Sequence, residues 1–237
     1  MSDEVAASGG DDIELIAADG DVILVASKKD HTKKLRVSSS ILSNASPVFK
    51  AMFGPHFREG HQLRNSTEPL EVPLPEDDTR GLRLMCQMLH SWQRGFDVHD
   101  FNAIISLHNT AVLLQKYQSL DPLRWQMSGF LHNWLYKYRH VDCIDMVIEA
   151  VAATYLIGDE SGFQRATAHL INKCEDGVTE LVNDPIIETI PVRVLLILEA
   201  RRDLIHSFAK GKEDEGLCLK CCNNGEQAIG KTCQGHY

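Results

Sequence analysis

The sequence lacks the features that mark membrane-spanning, secreted and nucleic-acid-binding proteins. No apolar run approaches the ~20 residues that cross a bilayer, and the opening MSDEVAASGGDD is acidic rather than typical of a signal peptide. The 33 acidic residues outnumber the 24 Lys and Arg residues, which gives a net charge of −9. We therefore expect no membrane or nucleic-acid partner, and a cytoplasmic or nuclear protein whose seven cysteines stay reduced.

Recognisable catalytic motifs are also missing. The eleven histidines are scattered, and the sequence has no G-x-S-x-G, H-E-x-x-H or P-loop pattern. The serines of the run Ser38-Ser39-Ser40 are better explained as helix caps than as a nucleophile. We therefore expect that the protein is not an enzyme.

One basic cluster stands out against this acidic background, between Lys28 and Arg36. Asp30 interrupts the cluster and no aromatic residue is interleaved. This pattern favours a solvated turn between two strands over a nucleic-acid contact.

The first third of the chain predicts a small sheet and two short helices. The expected strands are residues 13–16, 22–26, 35–37 and 70–74, the last at a sheet edge because it contains Pro73. Ser39 or Ser40 is expected to cap a first helix, and Ser46-Pro47 to start a second. The polar stretch 54–67 predicts a loop with Phe57 and Leu63 as anchors.

The remainder predicts helices only. They are expected after Asp77 or Asp78, over 101–117 with Asp100 as cap, after Asp121-Pro122, and over 141–157, 162–174 and 191–209. Trp92, Trp125, Trp134, Tyr136 and Tyr138 are expected to pack between helices, although residues 134–138 can also present an aromatic face to a partner. Residues 211–237 show no periodicity. Strands followed by helices are typical of the α+β class.

Six segments, in this order, resemble a BTB/POZ domain. They are DGDVILV (19–25), LRVSSSILS (35–43), ASPVFKAMF (45–53), FREG (57–60), VPLPEDD (72–78) and AVLLQKY (111–117). The resemblance is to the short type common in filamentous fungi, and it covers roughly residues 12–134. It implies a BTB/POZ fold, in which a small β-sheet is flanked by a cluster of α-helices, followed by an α-helical extension.

The resemblance also implies a domain organisation. We expect a disordered acidic tail over 1–11 and a BTB/POZ domain over 12–138. A helical C-terminal extension over 139–210 and a flexible, cysteine-containing tail over 211–237 are expected to follow.

The function implied by the resemblance is protein–protein interaction, first of all with a second copy of the chain. BTB domains commonly homodimerise through the N-terminal strand and the first helix. The corresponding candidates for a dimer interface are Ile13, Leu15, Ile16, Asp21, Ile41 and Leu42.

A second implied partner is the cullin-3 ubiquitin ligase scaffold. Members that bind it often carry a hydrophobic-x-Glu step after the second helix, which Phe57-Arg58-Glu59 matches. In a substrate adaptor of this kind, Phe57 fills a partner pocket and Glu59 makes a polar rim contact. The alternative is that Phe57 anchors the loop on the domain's own core. Because no separate substrate domain is evident, a substrate is expected on the C-terminal helices or the tail.

The sequence departs from the family at one charged pair. Many dimeric members place the strand aspartate, here Asp21, near a basic residue, whereas this chain has Ser38 and Ser39 at the corresponding positions. We therefore expect Asp21 to accept hydrogen bonds from the serine hydroxyls or from a backbone turn.

Two alternative functions remain open. Cys218, Cys221, Cys233 and His236 have the spacing of tetrahedral zinc ligands, so the tail either binds zinc or carries reduced thiols without a cofactor. A BTB-type transcriptional regulator is the other alternative, but such proteins need several zinc fingers and a basic face.

Overall fold

The computed structural model describes residues 13–28, 31–91, 96–97, 99–174, 176–178, 185–208, 214–225 and 233. The chain divides into two compact units, Met1–Trp92 and Gln93–Tyr237. The first contains a small sheet with helices and the second contains helices, so the α+β class is confirmed. The acidic tail expected over 1–11 lies outside the described residues.

The first unit is built on a four-stranded sheet. Its strands are β1 (Ile13–Leu15), β2 (Val22–Lys28), β3 (His31–Val37) and β4 (Leu70–Leu74), in the order β1-β3-β2-β4. β2 and β3 form an antiparallel hairpin, β1 runs parallel to β3, and β4 runs parallel to β2. The strand with Pro73 therefore lies at an edge, as predicted.

Two short helices meet at a corner next to the sheet, as the serine and proline pattern predicts. They are α1 (Ser39–Ala45) and α2 (Pro47–Met52). The Ser46 hydroxyl accepts a hydrogen bond from the Phe49 N–H at 3.1 Å. Pro47 occupies the first helical position, where a backbone N–H would have no hydrogen-bond partner within the helix. Phe49 is fully buried and stacks on Phe53 with 5.9 Å between ring centroids.

The cap of α1 comes from the sheet and not from the serine run. Ser38 precedes the helix, but its side chain makes no capping hydrogen bond. Asp21 instead accepts from the Ser39 N–H at 2.7 Å and from the Ser39 hydroxyl at 2.6 Å. The prediction of Ser39 or Ser40 as the cap was wrong, and the expected role of Asp21 is confirmed.

Two further helices complete the first unit, α3 (Arg58–Asn65) and α4 (Thr79–Leu89). Asp78 caps α4 as predicted, since its carboxylate accepts from the Arg80 and Gly81 N–H groups at 3.0 and 2.9 Å. The loop predicted over 54–67 was wrong, because residues 58–65 are helical. Their sequence, REGHQLRN, contains a single apolar residue, so no helical periodicity was visible.

The second unit is helical. It contains α5 (Ala103–Lys116), α6 (Arg124–Lys137), α7 (Ile144–Ile157), α8 (Glu160–Lys173), α9 (Val192–Phe208) and α10 (Leu219–Asn224), with a 3-10 helix at Pro185–Thr189. α7 carries the centre of the core, since nine of its residues are buried. Gly158 ends it with φ +70°, a conformation that favours glycine. Asp159 then caps α8 by accepting from the Gly162 N–H at 2.9 Å.

Several expectations about this unit were wrong in detail. Asp100 and Asp121 do not cap α5 and α6, which begin later than predicted and are preceded by Asn102 and Leu123. Trp125 and Tyr136 are 86% and 67% exposed, not packed between helices. Trp134 is fully buried as expected, whereas Trp92 lies outside the described residues.

The C-terminal segment has more structure than its composition suggests. Within 211–237, the described stretch 214–225 includes the helix α10. Leu217, Leu219 and Cys222 of this stretch are buried. The expectation of a segment without regular structure was therefore wrong for residues 219–224, because a few apolar side chains suffice to hold a short helix on a neighbouring core.

Across the described residues, the helices fall short of the combined length and apolarity that a bilayer crossing requires.

Candidate functional site

The hydrophobic-x-Glu step lies at the start of α3. Phe57 immediately precedes the helix and is 51% exposed, so its ring is only partly covered by the domain's own residues. Glu59 lies in the first helical turn, where a carboxylate is favoured by the helix dipole. Arg58 lies beside it, with 3.8 Å between the guanidinium and the Glu59 carboxylate. Exposed aromatic side chains are a residue type that protein interfaces favour.

The residues expected at a dimer interface divide into exposed and buried groups. Leu15 is 52% exposed, and Ile13 and Ile41 are partly exposed. Ile16 and Leu42 are buried in the unit's own core at 7% and 0% exposure, which corrects their assignment to a surface. The Asp21 carboxylate is occupied by the cap of α1.

The N-terminal strand is fastened to its own unit by a charged contact. Glu14 on β1 receives the Arg83 Nε–H of α4 at 2.7 Å, and the Lys33 ammonium lies 3.5 Å away. Burial acts to raise the pKa of Glu14, but the hydrogen bond and charge of Arg83, together with Lys33, hold this pKa below its ordinary value. The exposed side of Leu15 therefore belongs to a strand that is already held in place.

Three basic side chains of the cluster make contacts within the first unit. Lys33 faces Glu14, and Lys34 pairs with Glu71 of β4 at 3.0 Å. Arg36 donates to the Gly20 carbonyl at 2.7 Å. These contacts agree with a hairpin whose cations stabilise the sheet.

Three cysteines of the second unit form a cluster that could hold a metal ion. The Sγ atoms of Cys218, Cys221 and Cys233 all lie within 4.8 Å of one another, and the Cys221 and Cys233 sulfurs are 3.5 Å apart. Cys218 immediately precedes α10 and Cys221 lies in its first turn, so the two-residue spacing brings both thiols to one end of the helix. The fourth predicted ligand, His236, lies outside the described residues.

The donor set fits a soft divalent metal. In a tetrahedral zinc–thiolate site, Zn–S bonds of about 2.3 Å place the sulfurs about 3.8 Å apart, which is close to the 3.5 Å between the Cys221 and Cys233 sulfurs. Burial and the neighbouring Cys233 and Cys218 thiols raise the pKa of Cys221 to about 12. A bound cation would reverse this effect, because it stabilises the thiolate form.

Three further cysteines are buried but are not members of the cluster, although Cys222 interacts electrostatically with Cys218. Burial raises the pKa of Cys222 to about 11 and that of Cys174 to about 12. Burial also raises the pKa of the Cys86 thiol, which is fully buried in α4. These thiols are therefore protonated and unreactive near neutral pH.

Three histidines have structural contacts with backbone carbonyls. His90 contacts the Cys86 carbonyl, His169 the Val141 carbonyl and His206 the Ile171 carbonyl, at 2.8, 2.7 and 3.0 Å. Burial lowers the pKa of His90 and of His169. Both rings are therefore neutral near pH 7 and positioned by the fold.

The sequence matches no protein-family model and none of the curated proteins with which it was compared.

Proposed function

We propose that this chain is a protein–protein interaction module of the BTB/POZ type, which homodimerises and serves as a cullin-3 adaptor. The order of strands and helices in the first unit supports the proposal, because it is the order that the resemblance implies. The observation that carries it is Phe57, an aromatic side chain that is 51% exposed directly beside the helix that bears Glu59.

The energetic reason is the cost of leaving such a ring in water. Fully burying an exposed aromatic side chain contributes about 1.5–3 kcal/mol, and since Phe57 is 51% exposed, a partner pocket would gain roughly half of this. Glu59 adds a polar contact at the rim, which favours orientation and partner choice more than affinity.

Size-exclusion chromatography with light scattering on the full chain tests both partners. We expect the mass of a dimer, and a further increase when the cullin-3 N-terminal domain is added. Phe57→Ala with Glu59→Ala should abolish the increase and leave the dimer intact. Leu196→Ala, which truncates a similarly exposed residue on α9 (65%), is the matched control and should still bind.

Self-association is tested separately at the N-terminal strand. Leu15→Arg places a charge on the exposed face of β1, which should convert the dimer into a monomer, because an unpaired interfacial charge is costly. A wild-type monomer at micromolar concentration would contradict the dimer proposal. A dimer whose mass does not increase when the cullin-3 domain is added, with or without the Phe57 change, would contradict the adaptor proposal.

A second candidate function, zinc binding by the C-terminal segment, is favoured by the three clustered sulfurs. Cys218, Cys221 and Cys233 would supply three ligands, with His236 as the sequence-predicted fourth. Elemental analysis of purified protein should give about one zinc per chain, and Cys218→Ser with Cys233→Ser should remove it. Cys143→Ser changes a cysteine outside the cluster and should retain the metal. Purified protein without zinc that also fails to take it up would rule this function out.

A further inference from the structure

The second unit contains a cavity of about 370 Å³ between α6, α8 and the segment that begins at Asp214. Its polar lining includes Arg139, Arg165, Lys173, Tyr136, Asn172 and Asp214. Ligand sites in proteins typically enclose about 300–1,000 Å³, so the cavity is large enough for a side chain and part of a peptide backbone. The charge of its lining residues determines which class of ligand it favours.

Two guanidinium groups at the cavity have no carboxylate partner in the part of the chain that the structure describes. Arg139 donates to the Tyr136 carbonyl at 2.7 Å and lies over the Tyr136 ring, 4.7 Å from its centroid. Arg165 lies 3.2 Å from the His132 Nδ1. A guanidinium carries five N–H donors, so each arginine keeps donors for a further acceptor.

Among the described residues that line the cavity, the single carboxylate is already compensated. Asp214 receives the Arg201 Nε–H at 2.9 Å and the Gly216 N–H at 2.8 Å. The Arg201 side chain is 3% exposed, so this ion pair is buried. Asp214 therefore does little to offset the positive charge of the cavity.

The imidazole at the cavity wall is held neutral. His169 is buried and contacts the Val141 carbonyl through Nε2. Burial lowers its pKa, and the charges of Lys173 and His140 act in the same direction, whereas the hydrogen bond to the Val141 carbonyl and the charge of Asp142 oppose them. His169 therefore adds no charge to the cavity, whereas Arg139 and Arg165 do.

We propose that this cavity binds an anionic segment of a partner protein, through carboxylate or phosphate oxygens held by Arg139 and Arg165. The planar fork of a guanidinium matches both kinds of oxygen pair. Tyr136, which is 67% exposed, offers an aromatic surface beside the two cations. This proposal rests on the proposed function in one respect, because it takes the ligand to be a segment of a partner protein.

The net charge of the chain gives this cavity selectivity. A chain of net charge −9 repels acidic partners over most of its surface. A locally positive cavity therefore orients an approaching anionic segment and defines where it can bind.

Fluorescence anisotropy with labelled peptides and the full chain tests the proposal. Three peptides of about eight residues are compared: one rich in glutamate, one with a single phosphoserine in a neutral sequence, and one rich in lysine. We expect an acidic or phosphorylated peptide to bind and the lysine peptide not to bind, with affinity falling between about 50 mM and about 300 mM salt. Competition by inorganic phosphate should be stronger against the phosphoserine peptide if phosphate is the preferred group.

Variants locate the binding. Arg139→Glu with Arg165→Glu should weaken binding by about tenfold or more per arginine, since each loses a charge-assisted hydrogen bond. Arg139→Gln with Arg165→Gln should show a smaller loss in the same direction, and it guards against misfolding of the reversed variant. Arg80→Glu makes the same type of charge change at an exposed position of α4 and should bind as wild type does.

Failure of this proposal is distinguishable from failure of the proposed function. Wild-type protein that binds none of the anionic peptides, or variants that bind them unchanged, would overturn the cavity proposal. Dimer formation and the Phe57-dependent mass increase would be unaffected by that result. Conversely, a chain that is monomeric and does not bind cullin-3 can still bind an anionic peptide through Arg139 and Arg165.

Discussion

Asp21 and Ser39 join the sheet to the first helix through two short hydrogen bonds. The carboxylate that precedes β2 accepts both the backbone N–H and the hydroxyl of Ser39, at 2.7 and 2.6 Å. An N-terminal cap normally comes from the residue that directly precedes the helix. Here the acceptor comes from 18 positions earlier in the chain, so the cap also fixes α1 against the sheet.

We predict that Asp21→Ala destabilises the first unit by about 1–2 kcal/mol, the usual cost of losing an N-cap. Asp121→Ala is the control, because the Asp121 side chain is 96% exposed and makes only a long ion pair with Arg124. Urea unfolding followed by circular dichroism provides the measurement. Equal stability of the two variants would contradict the capping role.

His90 predicts a loss of stability on mild acidification. The Ser38 N–H donates to its Nε2 at 3.0 Å, while Nδ1–H donates to the Cys86 carbonyl. The contact with Ser38 requires the neutral ring, because a protonated Nε2 cannot accept a hydrogen bond. Burial lowers the pKa of His90 below its ordinary value of 6.5, although the bond to Cys86 acts in the opposite direction. The unfolded chain therefore binds a proton before the folded chain does, and stability that is complete above pH 6.5 decreases as the pH falls towards the folded pKa.

The measurement is urea unfolding of wild type and His90→Gln at about pH 7.5 and about pH 5.5. The wild type should lose more stability between these conditions than the variant does. The variant is expected to keep some pH dependence, because His169 is shifted in the same direction. An identical decrease in both proteins would show that His90 does not carry the effect.

Two glycines predict opposite effects of the same substitution. A Cβ atom on Gly60 would lie 2.6 Å from the Phe53 carbonyl oxygen and closer still to that of Gly54. These are backbone atoms that cannot rotate away, so Gly60→Ala should destabilise by about 3 kcal/mol. A Cβ on Gly129 would meet nothing within 4 Å, so Gly129→Ala in the middle of α6 should stabilise by about 0.5–1 kcal/mol. Thermal unfolding of the two variants distinguishes these signs.

Two tryptophans on α6 predict very different costs of truncation. Trp134 is fully buried, stacks on Phe101 with 5.9 Å between centroids, and donates its indole N–H to the Phe101 carbonyl at 2.9 Å. Trp134→Ala should therefore cost about 3–5 kcal/mol. Trp125 is 86% exposed, and Trp125→Gln should change stability by less than about 0.5 kcal/mol. Acrylamide should quench the fluorescence of Trp125 in the native protein and leave that of Trp134 nearly unchanged.

Local signals in the sequence predicted the parts of the fold that depend on neighbouring residues. Ser46-Pro47 specified the corner between two helices, and Asp78 specified the start of α4, because caps act within three positions of the chain. The alternating hydrophobicity of residues 70–74 predicted β4, and Pro73 placed it at an edge.

Features that depend on tertiary packing were not predictable in the same way. α3 has one apolar residue, so its helical structure has no periodic signal. Trp125 and Trp134 are the same residue type on one helix, and only packing distinguishes their exposure. The cysteine cluster was suggested by its two-residue spacing, whereas Arg139 follows α6, Arg165 lies in α8, and the two form no motif.

Pro73 has a consequence for how the protein resists aggregation. The Leu70 N–H points towards β2, where it donates to the Asp21 carbonyl, so the alternation along a strand directs residues 71 and 73 to the open side of β4. A strand of another molecule that paired with this side would need backbone N–H donors from residues 71 and 73, and proline has no N–H. The open edge thus offers one backbone donor fewer to a strand of another molecule, which hinders open-ended growth of the sheet.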